Sequence, residues 1–213
     1  TFGLAMMAVP PAGPFCPGDC MTYPFPDILD YYPRDYFWMY LAVFQLFAYV
    51  IFMAANHYLA PDSRKVYSFS AMAFALISAI VLLGAYFIQF TVVPISVMKG
   101  ETEGIALLTQ YNGHGIFIAL EELGYLCMSI SFLFLAFAFS KRSRLEQAIR
   151  LLLFLPLIIT VLSFIYFSIK FGIDRSYRFE VATISINWLV TICIGILVAI
   201  YINKYLKVQL EGK

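Results

Sequence analysis

Two adjacent carboxylates in an otherwise apolar stretch are the residues of this 213-residue chain best suited to chemistry. They are Glu121 and Glu122, within the run Asn112-Gly113-His114-Gly115 through Tyr125. Ionisable groups at membrane depth are costly and mark functional sites by default. No Lys or Arg stands at the centre of a neighbouring apolar run to neutralise them. Burial and mutual repulsion then favour a neutral acid or a bound cation, the profile of a proton relay or a cation site. A carboxylic acid hydrogen-bonded into a structural core has the same profile. On a helix, His114, Glu121 and Tyr125 recur along one stripe, and Glu122, Tyr125 and Ser129 along the next.

Other polar side chains repeat at helical spacing in the neighbouring apolar runs. Gln45, Tyr49, Phe52 and Asn56 align, as do Ser78, Leu82, Tyr86 and Gln89. Thr160 and Ser163 follow Pro156, where a bend is expected. Thr183, Asn187, Thr191 and Gly195 come every four residues. The sharp expectation is one polar chamber, opening outward and lined by Glu121, Glu122, His114, Tyr125, Gln89, Asn187 and Gln45. The bland alternative for the amides and hydroxyls is interhelical glue, worth about 0.6 kcal/mol each.

Several chemistries lack their residues. His57 and His114 are the two histidines, and they fall at opposite ends of their apolar runs, so they cannot share a haem iron. No His-Glu-x-x-His, Gly-x-Ser-x-Gly or phosphate-cradling glycine loop occurs. Glu121-Glu122 resembles the paired glutamates of intramembrane prenyl-protein proteases, but Leu126 stands where their arginine would be. No lysine is placed for retinal. No metal and no cofactor is therefore expected, and an enzyme is the less favoured reading.

The elements that must position these groups are transmembrane helices. Hydrophobic residues make up 62% of the chain and charged residues 13%, which leaves too little polar surface for a water-solvated fold. Mean hydropathy is +0.83. Phe 21 and Tyr 15 add the aromatic excess of bilayer interfaces. A net charge of +1 argues against a nucleic-acid partner. A crossing helix needs about 20 apolar residues, and five runs qualify: 36–59, 67–93, 116–139, 149–169 and 181–205. Without water, their backbones can be satisfied only as helices. The fold class is thus all-α, a single transmembrane bundle. Residues 1–9 are apolar but reach only about 14 Å as a helix. They read as the tail of a partial N-terminal span, with residues upstream of Thr1 missing from this sequence.

Charge orients the bundle. Arg64, Lys65, Lys141, Arg142, Arg144, Arg150, Lys204, Lys207 and Lys213 fall on one side if every run crosses once. The positive-inside rule makes that side cytoplasmic, with the C-terminus, and places residues 10–35 outside a plasma (inner) membrane. Cys16 and Cys20 then lie in an oxidising compartment. A Pro-Gly turn between them makes a local disulfide the expectation, since two thiols and one carboxylate fall short of a zinc set. Cys127 and Cys193 read as packing groups. Arg34 and Asp35, beside Tyr31, Tyr32, Tyr36 and Trp38, read as an interfacial anchor with a local ion pair.

Residues 31–40, Tyr86-Phe87-Ile88-Gln89, and 100–125 from Gly100-Glu101-Thr102-Glu103-Gly104 onward resemble an uncharacterised family of bacterial and archaeal multipass membrane proteins. The resemblance implies a six-helix architecture and carries over no activity. The functional expectation is binding or transport of a small molecule or cation. Its rivals are an accessory or scaffolding subunit of a membrane complex, and an intramembrane enzyme acting on a lipid-like substrate with the glutamates as acid and base. The lipid bilayer, a small-molecule or lipid ligand and a membrane partner subunit are the expected partners.

Overall fold

The apolar runs become helices, and their ends follow local signals. The structure, a computed structural model, describes the backbone of residues 11–211 and the side chains of 11–204. The expected helix tail at 1–9 and the charges Lys207 and Lys213 lie outside the residues whose side chains are described. Five long helices carry the fold: α1 (Phe37–Leu59), α2 (Lys65–Thr91), α5 (Ile116–Ala138), α6 (Arg144–Phe171) and α7 (Arg178–Glu211). Two short helices, α3 (Val93–Met98) and α4 (Ile105–Leu108), lie between α2 and α5. All five long helices are long and apolar enough to cross a membrane, and the chain is a membrane-embedded helical bundle.

Two boundaries depart from the hydropathy reading. Helix α6 begins at Arg144, before its apolar run, because Ser143 and Glu146 form a capping box: the Glu146 N–H donates to Ser143 Oγ at 3.2 Å and the Ser143 N–H to Glu146 Oε2 at 3.0 Å. It then continues through Pro156 to Phe171. Helix α7 likewise begins at Arg178, which brings Glu180 into its first turn. By hydropathy alone Glu180 falls just before the apolar run 181–205.

Helix α5 is the hub. It packs along α2, its most extensive partner, and also against α6 and α7. Of its apolar stretch, 56% is buried inside the protein, against 22% to 39% for the other four, which therefore hold more surface for lipid. Gly124 permits the α2–α5 approach: a Cβ there would lie 2.5 Å from Leu82 Cγ, and Leu82 is wholly buried. At one end of the bundle, Arg64 donates to the carbonyls of Phe137 and Phe139, and Arg150 donates to Phe139 O at 2.7 Å. The opposite end carries residues 11–35, the α2–α5 connection and the α6–α7 connection. Cys16 and Cys20 form a disulfide there, and Arg34 pairs with Asp35 at 2.8 Å while stacking over Tyr31.

The close approach at Gly124 gives a packing test. Gly124→Ala is expected to cost about 1–3 kcal/mol through overpacking against Leu82, read as a lowered unfolding midpoint of the detergent-solubilised protein. Gly195→Ala, where an added Cβ meets nothing within 4 Å, is expected not to lower it.

Candidate functional site

Glu121 lies in the second turn of α5, and its carboxyl group is wholly enclosed. Helix α2 supplies Tyr86, whose hydroxyl donates to Glu121 Oε1 at 2.9 Å. One turn further along α5, Tyr125 Oη lies 2.9 Å from Tyr86 Oη. Helix α7 supplies Trp188, whose indole N–H donates to Tyr125 Oη at 2.9 Å. The direction of the chain follows from proton counting. Tyr86 has spent its one proton on Glu121, so Tyr125 must donate to Tyr86, and Trp188 to Tyr125. All three donors are therefore aligned toward Glu121 Oε1. Trp38 holds the group from α1, its ring 5.5 Å from that of Tyr86 and 5.9 Å from that of Trp188.

The other oxygen, Glu121 Oε2, has no ordinary donor. Near it stands a second enclosed carboxyl group, that of Glu180. Two neighbouring carboxylates repel one another away from water, so the pair favours a shared proton or a cation. None of the ion pairs among the described residues reaches either acid. Glu121 has no exposed surface while Glu180 keeps 8%, so the pair approaches solvent through Glu180. Tyr177 stands beside it. Its hydroxyl donates to Gln110 O at 3.1 Å, and Gly113 and Gly13 leave room for its ring, since a Cβ on either would collide with it. Burial, then the negative charge of the neighbouring Glu180–Glu121 pair, pushes the Tyr177 phenol well above its ordinary value, so it stays a neutral donor.

Glu122 points elsewhere. Its side chain is 24% exposed, it accepts no hydrogen bond among the described residues, and its nearest cation is Arg175, with Nη2 4.0 Å from Oε2. It lines a groove of about 380 Å³ between α5 and α6, closed at one side by Phe179 of α7.

The remaining expected site residues do not gather around the acids. Gln89 is buried and ties down the α2–α5 connection, donating to Leu108 O at 2.7 Å and accepting from the Gln110 N–H at 3.0 Å. Asn187 is buried beside Ser129, which also meets Thr160, and donates to Ser129 Oγ at 2.9 Å and Thr183 O at 2.9 Å. Gln45 lines a separate cavity of about 190 Å³ with Tyr49, Phe132 and Thr191. His114 is exposed and precedes α5, which starts only after the extended Gly115. Helical spacing back from Glu121 therefore does not apply to it. Instead of one chamber there is a carboxyl pair, a bonded amide strip and a lateral groove. Among the described residues no three of His, Cys, Asp and Glu converge as metal ligands.

Glu180, Tyr86, Trp188, Tyr177 and Arg175 complete the site beyond the residues expected to line it. Glu180 carried a readable signal: it precedes Thr183 by three residues and Asn187 by seven, on the face already marked as polar. Comparison with protein-family models, curated proteins and solved structures finds no match.

The donor chain makes a specific expectation. Tyr86→Phe removes the sole ordinary donor to Glu121 Oε1 and leaves the Tyr125 hydroxyl without its acceptor, so it is expected to lower stability by about 1–3 kcal/mol. Tyr40→Phe, on an exposed ring stacked on Phe90, serves as the control with little effect on the same midpoint.

Proposed function

We propose that this membrane protein binds a proton or a small cation at the Glu121–Glu180 pair, taken up from the side that carries residues 11–35, and that this exchange underlies a binding or transport role. The observation that carries the reading is the enclosure of two neighbouring carboxyl groups with no ion-pair partner among the described residues. Such a pair holds one proton readily and a second negative charge poorly, so a proton or a cation satisfies it where a second bare charge would not. The residual exposure of Glu180 supports entry from that end. The aligned donors behind Glu121 support a site that tolerates one negative charge without a bound arginine or lysine.

We assign the C-terminus to the cytoplasm and the chain to a plasma (inner) membrane. Arg64, Lys65, Lys141, Arg142, Arg144 and Arg150 cluster at one end, and the Cys16–Cys20 disulfide at the other suits an oxidising compartment. An accessory role in a larger membrane assembly is the second reading. It is favoured by Gln89 and Asn187, whose amides are bonded within the chain as interhelical glue would be.

Thermal unfolding of the purified protein during sodium, potassium and proton titrations tests the proposal. At a concentration of about 100 times Kd, a bound ion adds about 2.7 kcal/mol. That gain is expected in the wild type and absent from Glu121→Gln and Glu180→Gln. If both variants keep the wild-type response and differ only in baseline stability, the pair is structural.

A further inference from the structure

We infer that the groove between α5 and α6 is a binding site for a lipophilic organic cation, with Glu122 as its counter-ion. The groove is walled by Leu123, Thr160, Val161, Phe164 and Phe179, and Glu122 is the acidic group on its lining. Leu123, Val161 and Phe164 are exposed on the protein surface, so the groove opens sideways toward acyl chains rather than along the bundle axis. A charged group here is reached from the lipid phase, and a ligand arriving by that route must be apolar over most of its surface. At about 380 Å³ the groove falls within the range of small-molecule pockets.

The sign of the ligand's charge follows from Glu122 and Arg175. Among the described residues the Glu122 carboxylate accepts no hydrogen bond and has only the long ion pair to Arg175, and a carboxylate so placed beside lipid calls for a positive group. Arg175 already occupies the outer lip of the groove in the manner of such a group. Its guanidinium lies 4.7 Å from the Phe164 ring centroid and 4.0 Å from Glu122 Oε2. The arginine is only loosely committed there. The distance to Glu122 exceeds that of a hydrogen bond, Nη1 meets Ser168 Oγ at 3.3 Å, and the enclosed Nε has no partner. A delocalised organic cation reproduces the contacts of Arg175 with the Phe164 face and with Glu122, and adds apolar surface that matches the apolar walls of the groove. Arg175 therefore competes with the ligand rather than holding it.

This inference stands apart from the carboxyl pair, because its readout is Glu122 and not Glu121 or Glu180. The probe is tetraphenylphosphonium, titrated calorimetrically into the purified full chain in phosphatidylcholine nanodiscs. Saturable binding is expected, weakened about tenfold or more in Glu122→Gln and several-fold in Phe164→Leu. Arg175→Gln is expected to bind more tightly than the wild type, an effect that a merely structural arginine would not give. Absence of saturable binding overturns the inference, as does equal affinity in the wild type and Glu122→Gln. Replacing phosphatidylcholine by phosphatidylethanolamine gives the last arm: if that aminophospholipid displaces the probe fully, the groove holds a lipid amine and the inference fails. Phe164→Leu keeps the test decisive should Glu122→Gln not purify as a folded protein.

Discussion

Two carboxyl groups, Glu121 and Glu180, are enclosed near one another with no ion-pair partner among the described residues, and three helices converge on that constraint. Glu121 belongs to α5, Glu180 to α7, and Tyr86 of α2 completes the set. In water two neighbouring carboxylates would simply ionise and separate. Enclosed at the end of an apolar bundle, they are held near one another by the packing around them, where two bare negative charges are costly. The donor chain from Trp188 through Tyr125 and Tyr86 ends on Glu121 Oε1. Function and fold thus meet in the same few atoms.

That arrangement depends on α5 being the hub. Within about one turn, α5 presents Glu121 to the α2 and α7 side, Glu122 to the α6 groove and Gly124 to α2. Because α5 touches α2, α6 and α7, consecutive residues of one short segment face different neighbours. Gly124 lets α2 come close enough for Tyr86 to reach Glu121. The adjacent acids, which look like a matched pair in sequence, consequently have separate roles: Glu121 is enclosed with Glu180, and Glu122 opens to the groove with Arg175.

Much of the fold was legible in the sequence, because hydropathy over some twenty residues is a strong signal and lipid leaves the backbone few alternatives. The five spans and the Cys16–Cys20 pairing needed nothing more than that signal and a Pro-Gly turn. Helix ends were less legible. Ser143 and Glu146 extend α6 by a capping box, and the early start of α7 moves Glu180 from a connection into a helix. The site was half legible for the same reason. Glu121 stands out against an apolar run, whereas Glu180 sits among Arg175, Ser176, Arg178 and their neighbours, where one more charge draws no notice. Periodicity identified Gln89 and Asn187 as inward-facing but could not say what they face. Gln89 is taken up by the backbone around Leu108 and Gln110, and Asn187 by Ser129 and Thr183. His114 shows the limit from the other side, since a helical stripe means nothing two residues before the helix begins.

The shared proton is open to direct observation by infrared spectroscopy of the protein with isotope-labelled glutamate in a neutral bilayer. The account predicts a carbonyl band of a protonated carboxylic acid at neutral pH, shifted by deuterium exchange and lost when Glu180 is replaced by Gln. A spectrum showing only ionised carboxylates, or an acid band that survives both Glu121→Gln and Glu180→Gln, would contradict it.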